Sequence, residues 1–209
     1  MKFIDIQQNT DEWMELRIGK ATASQFACFM ANYGKPFGDP AKRYALQIAL
    51  ERINGIKDEQ GFSNDHMERG KEQEPVARML YEELHFVEVL NGGFFDCGEY
   101  GDSPDGLVGT YGGIEIKSVI APTHYATLQR GSFDPAYKWQ LIGHLDCTGR
   151  EWFDFVSYCA GFPADGRLIT HRLYRSDYSE ELKMLNERRS EFLELVKIIQ
   201  KEIQDGIRK

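Results

Sequence analysis

At 209 residues the chain is sized for one domain spanning 1–209, because single domains commonly extend to roughly 250 residues before the core splits. A composition of 42% hydrophobic and 28% charged residues, with Gly and Pro scattered, excludes wholesale disorder and low-complexity architecture. The formal charge of −8 argues against a general nucleic-acid binder, since nonspecific affinity comes from Lys and Arg that displace counterions from phosphates, unless basic residues gather on one surface and bound divalent cations offset the acidic charge.

The opening residues lack the basic flank and apolar run of a signal peptide, and no apolar stretch is long enough to cross a bilayer, which predicts a soluble cytoplasmic protein with no membrane partner. Cys28, Cys97, Cys147 and Cys159 are widely spaced without a Cys-x-x-Cys pair, so reduced, mostly buried thiols are expected.

In chain order, a capping-type Thr10 ahead of acidic residues, with Trp13 and Leu16 three apart, predicts a short helix over 10–17. A second helix is expected over 23–31. The stretch 32–40 holds two Gly and two Pro and reads as a loop carrying Lys35. A helix over 41–54 has Ile48, Ala49 and Ile53 as its apolar stripe and Gly55 as its stop. A polar connection runs through Ser63.

Met67, Val76, Met79, Leu80 and Leu84 then give helical spacing over 64–84, with Gly70 and Pro75 placed to divide or kink it. Segments 93–100, 103–109 and 113–119, bounded by glycines, read as consecutive antiparallel strands. Helices over 122–130 and 136–146 and strands over 152–159 and 168–174 follow, the last two strands separated by a strong turn signal. From Tyr178 on, Leu182, Leu185, Phe192, Leu193, Val196, Ile199 and Ile203 predict a long amphipathic helix packed on the core. Helices around a central group of strands make the expected class α/β (α+β), a mixed β-sheet flanked by α-helices.

Chemistry concentrates between Ser103 and Lys117, where the Asp of Ser-Pro-Asp-Gly is followed ten positions later by Glu-x-Lys. Side chains alternate along a strand, so Glu115 and Lys117 share one face while Ile114 and Ile116 take the other, and a hairpin can bring Asp105 beside them. Two carboxylates without a thiol or imidazole partner suit a hard, oxygen-seeking cation such as Mg2+ or Mn2+ better than zinc. Such an ion polarises a phosphoryl oxygen and lowers the pKa of water, while Lys117 can orient that water or stabilise charge on the phosphate. Ser-Pro-Asp-Gly is also a good turn anywhere, and Glu-x-Lys a common exposed strand face.

Taken with three further blocks, the segment resembles the PD-(D/E)XK nuclease superfamily and, within it, the lambda-type (YqaJ-like) phage alkaline exonucleases. Those blocks are Trp-Met-Glu-Leu-Arg-Ile-Gly-Lys-Ala-Thr-Ala-Ser from Trp13 to Ser24, Arg-Gly-Lys-Glu-Gln-Glu-Pro-Val-Ala-Arg from Arg69 to Arg78, and Pro-Ala-Tyr-Lys-Trp-Gln from Pro135 to Gln140. The resemblance implies a restriction-endonuclease-like core. It implies Asp105, Glu115 and the Ile116 carbonyl as ligands of one Mg2+ (or Mn2+), Glu74 serving a second ion, and Lys117 as the catalytic lysine. Arg17, Ser24, Ser103 and Gln140 would form a pocket for a terminal 5′-phosphate, and Lys35 would reach DNA.

Where relatives often carry a second Gln two positions after the first, this chain has Ile142, with His144 and Tyr137 as the residues placed to compensate. The activity so implied is a 5′-to-3′ exonuclease on the ends of linear double-stranded DNA, releasing mononucleotides and leaving 3′ overhangs for phage recombination. A ring-shaped homotrimer and a single-strand annealing protein as partner are also implied. An endonuclease of the same superfamily, of repair or restriction type, would keep the three catalytic residues without needing the phosphate pocket, and the intact Asp, Glu and Lys set speaks against a catalytically silent DNA-end-binding or scaffold protein.

Overall fold

A computed structural model describes residues 1–57 and 65–207. Nine strands form two sheets among the described residues. The smaller has the order β1-β4-β5-β2, built from β1 (Lys2–Ile4), β2 (Ala21–Thr22), β4 (Phe94–Asp96) and β5 (Tyr100–Asp102). The larger has the order β3-β6-β7-β8-β9, from β3 (Val89–Asn91), β6 (Gly106–Val108), β7 (Gly112–Ser118), β8 (Trp152–Tyr158) and β9 (Leu168–Tyr174). It is mixed: β7 and β8 run parallel and its other pairings are antiparallel. The expected class of a mixed sheet flanked by helices is therefore the observed one.

The expected run of three consecutive antiparallel strands is corrected in two ways. Segment 93–100 is a hairpin of β4 and β5, because Gly98 at φ 89° turns the chain and Cys97 N–H closes on the Tyr100 carbonyl at 3.0 Å. That hairpin also belongs to the smaller sheet, so the chain changes sheets between Asp102 and Gly106. The short strands β1, β2 and β3 carry too few residues for a period to show in the sequence.

The helices are α1 (Asp11–Leu16), α2 (Phe26–Met30), α3 (Asp39–Asn54), α4 (Asp65–His85), α5 (Ala121–Arg130), α6 (Lys138–Thr148) and α7 (Ser179–Ile207). Thr10 caps α1 through its hydroxyl, which accepts from Trp13 N–H. The expected helix over 23–31 splits into a 3-10 turn at Ala23–Gln25 followed by α2. Pro40 sits in the first turn of α3, where the missing N–H costs nothing, so that helix begins earlier than its apolar stripe suggests. The expected polar connection through Ser63 falls outside the described residues.

α4 runs without a break through Gly70 and Pro75. Apart from Met67, which lies outside the residues whose side chains are described, its expected apolar stripe is overturned: Val76, Met79 and Leu84 are exposed, Leu80 is half-buried, and the fully buried pair is Ala77 and Tyr81. These pack on Ile114 and Ile116 of β7 and on Val156 and Tyr158 of β8. The Tyr81 hydroxyl donates to Asp154 at 2.7 Å, and Arg172 pairs with the same carboxylate at 2.8 Å while stacking on Trp152.

The opposite face of the larger sheet carries Phe153 and Phe155, against which α6 packs, with α2, α3 and α7 beyond it. Here the expected stripe holds: Leu182, Leu185, Phe192, Leu193 and Val196 are buried and Ile199 and Ile203 pack at the margin. The four thiols are free, Cys147 and Cys159 buried and Cys28 and Cys97 partly so. No helix among the described residues is long and apolar enough to cross a membrane.

Candidate active site

The site forms where β7 outruns β6. β6 pairs with β7 only at Gly112–Ile114, so the second half of β7 has β8 on one side and, among the described residues, no strand on the other. The Asp105 side chain fills that edge: Oδ2 accepts the Ile116 N–H at 2.6 Å. A residue's N–H and C=O point to the same side of a strand, so the Ile116 carbonyl faces this edge as well.

The turn that carries Asp105 is held from outside. Gln8 Nε2 donates to the Pro104 carbonyl at 2.7 Å, and Arg78 donates to the Asp105 carbonyl. Gly92 lies so close that a Cβ there would stand 1.6 Å from the Pro104 oxygen, which leaves room for no other residue.

On β7 the alternation is as expected. Ile114 and Ile116 enter the core beneath α4, while Glu115 and Lys117 face α6. Glu115 is only 2% exposed and is gripped at both oxygens: Lys117 Nζ at 2.6 Å and Gln140 Nε2 at 2.5 Å meet Oε1, and His144 Nε2 lies 2.9 Å from Oε2. The last contact is an ion pair rather than a well-aimed hydrogen bond, for neither atom makes one of good angle. The other ring nitrogen, Nδ1, meets Asp102 of β5 at 2.8 Å. With a carboxylate on each side, this buried ring suits its doubly protonated, cationic form, Nδ1 hydrogen-bonded to Asp102 and Nε2 in ion-pair contact with Glu115.

The titration behaviour follows from that crowding. Burial alone would raise Glu115, yet Lys117 and His144 bring its pKa down to about 2. Burial would lower His144, yet Asp102 and Glu115 bring it up to about 10, which makes it an imidazolium at neutral pH. Lys117 is likewise raised against its burial by Glu115 and Asp105 and stays an ammonium. Asp105 is pushed well above the usual carboxylate range by burial and by the charges of Glu115 and Glu74, against the pull of Lys117 and the Ile116 N–H. Glu74 of α4 is raised by burial and by Glu115, with Arg78, 3.6 Å away, opposing.

Two carboxyls that are held high by desolvation and by the charge of neighbouring carboxylates are ones a cation would relieve. Glu74, Asp105, Ile116 and Lys117 line one cleft of about 590 Å3. This set of carboxylate oxygens and one peptide carbonyl fits a hard divalent cation. Among the described residues no three His, Cys, Asp or Glu side chains stand close enough together to form a complete ligand cluster, in keeping with Glu115 being turned toward Lys117, Gln140 and His144.

A second cavity, of about 180 Å3, shares Gln8, Asp105 and Lys117 with the first and is lined in addition by Trp13, Arg17, Ser24, Ser103, Glu115 and Gln140. Arg17 lies over the Trp13 ring at 4.0 Å, and Ser103 Oγ accepts from Trp13 Nε1 at 2.9 Å and from Arg17 Nη1 at 3.2 Å. Arg17 makes no ion pair among the described residues. Burial pulls its pKa below the usual arginine range, with Tyr44, Asp102 and Glu51 opposing. Ser24, exposed on the 3-10 turn, is 3.4 Å from the Thr22 hydroxyl. Beyond Arg17, Thr22 and Ser24 the space continues into a groove of about 670 Å3 that Arg43 and Lys57 also line.

The structure thus brings together Glu74, Asp105, Glu115, Ile116 and Lys117, and next to them Arg17, Ser24, Ser103 and Gln140. Lys35 stands apart on the exposed loop between α2 and α3, whose backbone is held by Arg188 at 2.8 Å, and lines none of these spaces. The expected compensation for Ile142 is corrected: Ile142 is fully buried in the helical core, and His144 does not open on the cavity but is buried behind it. Tyr137 lines the first cleft, its ring 5.1 Å from Lys117 Nζ. Asp102 and Gln8 carry no motif that would single them out, and Arg78, which ends the Arg69–Arg78 block, is assigned no role by it. A separate cleft of about 590 Å3, lined by Phe3, Leu90, Tyr111 and Arg150 among others, shares no residue with these three.

The fold is that of the alkaline exonucleases. An alkaline exonuclease from Laribacter hongkongensis (LHK-Exo) superposes with a TM-score of 0.85 at 32% identity, covering 95% of this chain and 98% of that one. The structure of LHK-Exo in complex with dAMP gives 0.79 at 32% identity, over 94% and 99%. A phage-related exonuclease from Haemophilus somnus 129PT shares the fold, with a TM-score of 0.69 at 14% identity over 90% and 96%. Comparison with curated protein sequences gave no match. The profile of the YqaJ-like viral recombinase domain matches residues 12–151, and the chain belongs to that family.

Proposed function

We propose that the protein is a Mg2+-dependent PD-(D/E)XK exonuclease that digests the 5′-ended strand of linear duplex DNA to mononucleotides and leaves 3′ overhangs. One observation carries the reading: Arg17, Ser24, Ser103 and Gln140 line the same small cavity as Asp105, Glu115 and Lys117. Arg17 is a half-buried cation whose described polar partner is a hydroxyl, so a phosphate dianion supplies the charge it lacks. A terminal phosphate lodged there sets the next phosphodiester beside Asp105 and Lys117.

Asp105, Glu115 and the Ile116 carbonyl would hold one Mg2+ (or Mn2+), with Glu74 serving a second. When bound, such ions supply Lewis-acid activation of the phosphoryl group and a water of lowered pKa. Lys117 keeps a full positive charge next to the reacting phosphate, where it stabilises the negative charge that develops. That one of the similar structures is a complex with dAMP, a deoxynucleoside monophosphate, supports a mononucleotide product.

The resemblance supports three further parts of the reading: a ring-shaped homotrimer around the DNA, transfer of the exposed strand to a single-strand annealing protein, and action in the cytoplasm of a bacterial host. Lys35 would contact the duplex outside the clefts.

The test uses Mg2+ and duplex DNA that is linear with 5′-phosphate ends, linear with 5′-hydroxyl ends, or covalently closed. The phosphorylated linear DNA should be digested fastest and closed circles left whole. Cutting of closed circles at a similar rate would make the protein an endonuclease, and no cutting at all would leave it a DNA-end-binding protein.

A further inference from the structure

We infer that His144 is a positioning residue that fixes Glu115 and ties it to the wall of the phosphate cavity; the inference rests on the nuclease reading above. His144 and Gln140 stand one turn apart on α6 and take opposite oxygens of Glu115, His144 Nε2 at 2.9 Å from Oε2 and Gln140 Nε2 at 2.5 Å from Oε1. The carboxylate is thereby held at both ends, and its plane is set by α6 rather than by β7 alone. Behind it, His144 Nδ1 meets Asp102 Oδ2 at 2.8 Å, and Asp102 is followed directly by Ser103, whose hydroxyl binds Arg17 and Trp13.

The chain Ser103–Asp102–His144–Glu115 therefore crosses from the smaller sheet to the larger one. His144 is wholly buried, its ring stacked on Phe153 with centroids 5.0 Å apart, so the ring has no freedom to swing between its two partners. It makes the only ion pair of Asp102 among the described residues. An imidazole held between a ligating carboxylate and a second carboxylate is the arrangement by which outer groups orient metal ligands.

A purely structural tie would use the same contacts, and two substitutions separate the roles. A glutamine amide reaches about as far from the backbone as Nε2, an asparagine amide only as far as Nδ1. His144→Gln thus keeps a donor for Glu115 and gives up Asp102, whereas His144→Asn keeps Asp102 and gives up Glu115. Binding of Mn2+ to the DNA-free protein is measured by titration calorimetry, with melting temperature alongside. His144→Asn should bind Mn2+ about 100-fold more weakly than the unmutated protein, and His144→Gln, which gives up only Asp102, about tenfold more weakly, at similar melting temperatures.

Asp102→Asn leaves His144 and Glu115 in place and serves if His144→Asn does not fold; it should weaken Mn2+ binding by about tenfold. Equal Mn2+ binding by the two His144 variants, or unchanged binding by Asp102→Asn, overturns the inference and leaves the nuclease reading standing. No Mn2+ binding by the unmutated protein overturns both.

Discussion

In the larger sheet the central strands β7 and β8 are each seven residues long and pair along their whole length, whereas no strand of the smaller sheet exceeds three. The long pair sets the positions of Glu115 and Lys117 by backbone register. The smaller sheet has few ladder bonds with which to place Asp102, Ser103 and the turn to Asp105, and polar side chains do that work instead. Lys20 bridges Asp96 at 2.6 Å and the Gly98 carbonyl at 2.8 Å, Gln8 holds Pro104, and His144 holds Asp102. The candidate site straddles the two, so one half is rigid by pairing and the other by a handful of named contacts.

The comparison is broken most severely at the larger sheet's reactive face. Lys117→Ala should cost about 10²–10³-fold in kcat on phosphorylated linear duplex, measured at saturating DNA; a loss of only a few-fold would remove Lys117 from the chemistry. Next in size is Gly92→Ala, whose added methyl must displace the Pro104 carbonyl. It should destabilise the fold by about 1–3 kcal/mol and lower activity as well, since the displaced turn carries Asp105; denaturant melts and turnover, read together, check both. Tyr81→Phe tests the larger sheet away from the site. It removes the 2.7 Å bond to Asp154 but leaves Arg172 in place, so about 1 kcal/mol of stability should go with turnover unchanged.

The smallest effect is pH-dependent. Glu51 accepts from Gly19 N–H at 2.9 Å and pairs with Lys57 at 2.8 Å, bracing the turn after Arg17. Burial pushes its carboxyl up, but Lys57, Gly19 and Gln47 together hold it below its ordinary value of 4.5. A depressed folded pKa means that the contribution is present above about pH 4.5 and fades as the carboxylate is protonated below it. The gap in melting temperature between the unmutated protein and Glu51→Gln should therefore close on acidification; a gap independent of pH would show that Glu51 acts through shape alone.

How far the sequence foretells all this depends on whether one period or one motif governs a segment. In β7 the alternation of Ile114 and Ile116 with Glu115 and Lys117 reports both core and site, because each face has a single task. The same holds for α7, whose stripe faces only the helical core. α4 is misread because its inward side is shared between packing by Ala77 and Tyr81 and the placing of Glu74 and Arg78, which leaves Val76, Met79 and Leu84 outward. His144 is given the wrong task, a place in the phosphate pocket, for a different reason. It sits among Ile142, Gly143 and Leu145 on a core-facing helix, and its partners lie 42 and 29 positions away, at Asp102 and Glu115. The resemblance supplies Arg17 and Ser24, which no local pattern distinguishes from an ordinary helix end and turn.

β6 stops before β7 does, and part of the candidate site is consequently made of main chain. The Ile116 peptide group that faces Asp105 belongs to whatever residue occupies position 116, so exchanging Ile116 for Val or Leu would retain that contribution. A scan of side-chain replacements would count Asp105, Glu115 and Lys117 and pass over it. The way to remove it is to change the pairing itself, by extending β6 until its own peptide groups close the gap.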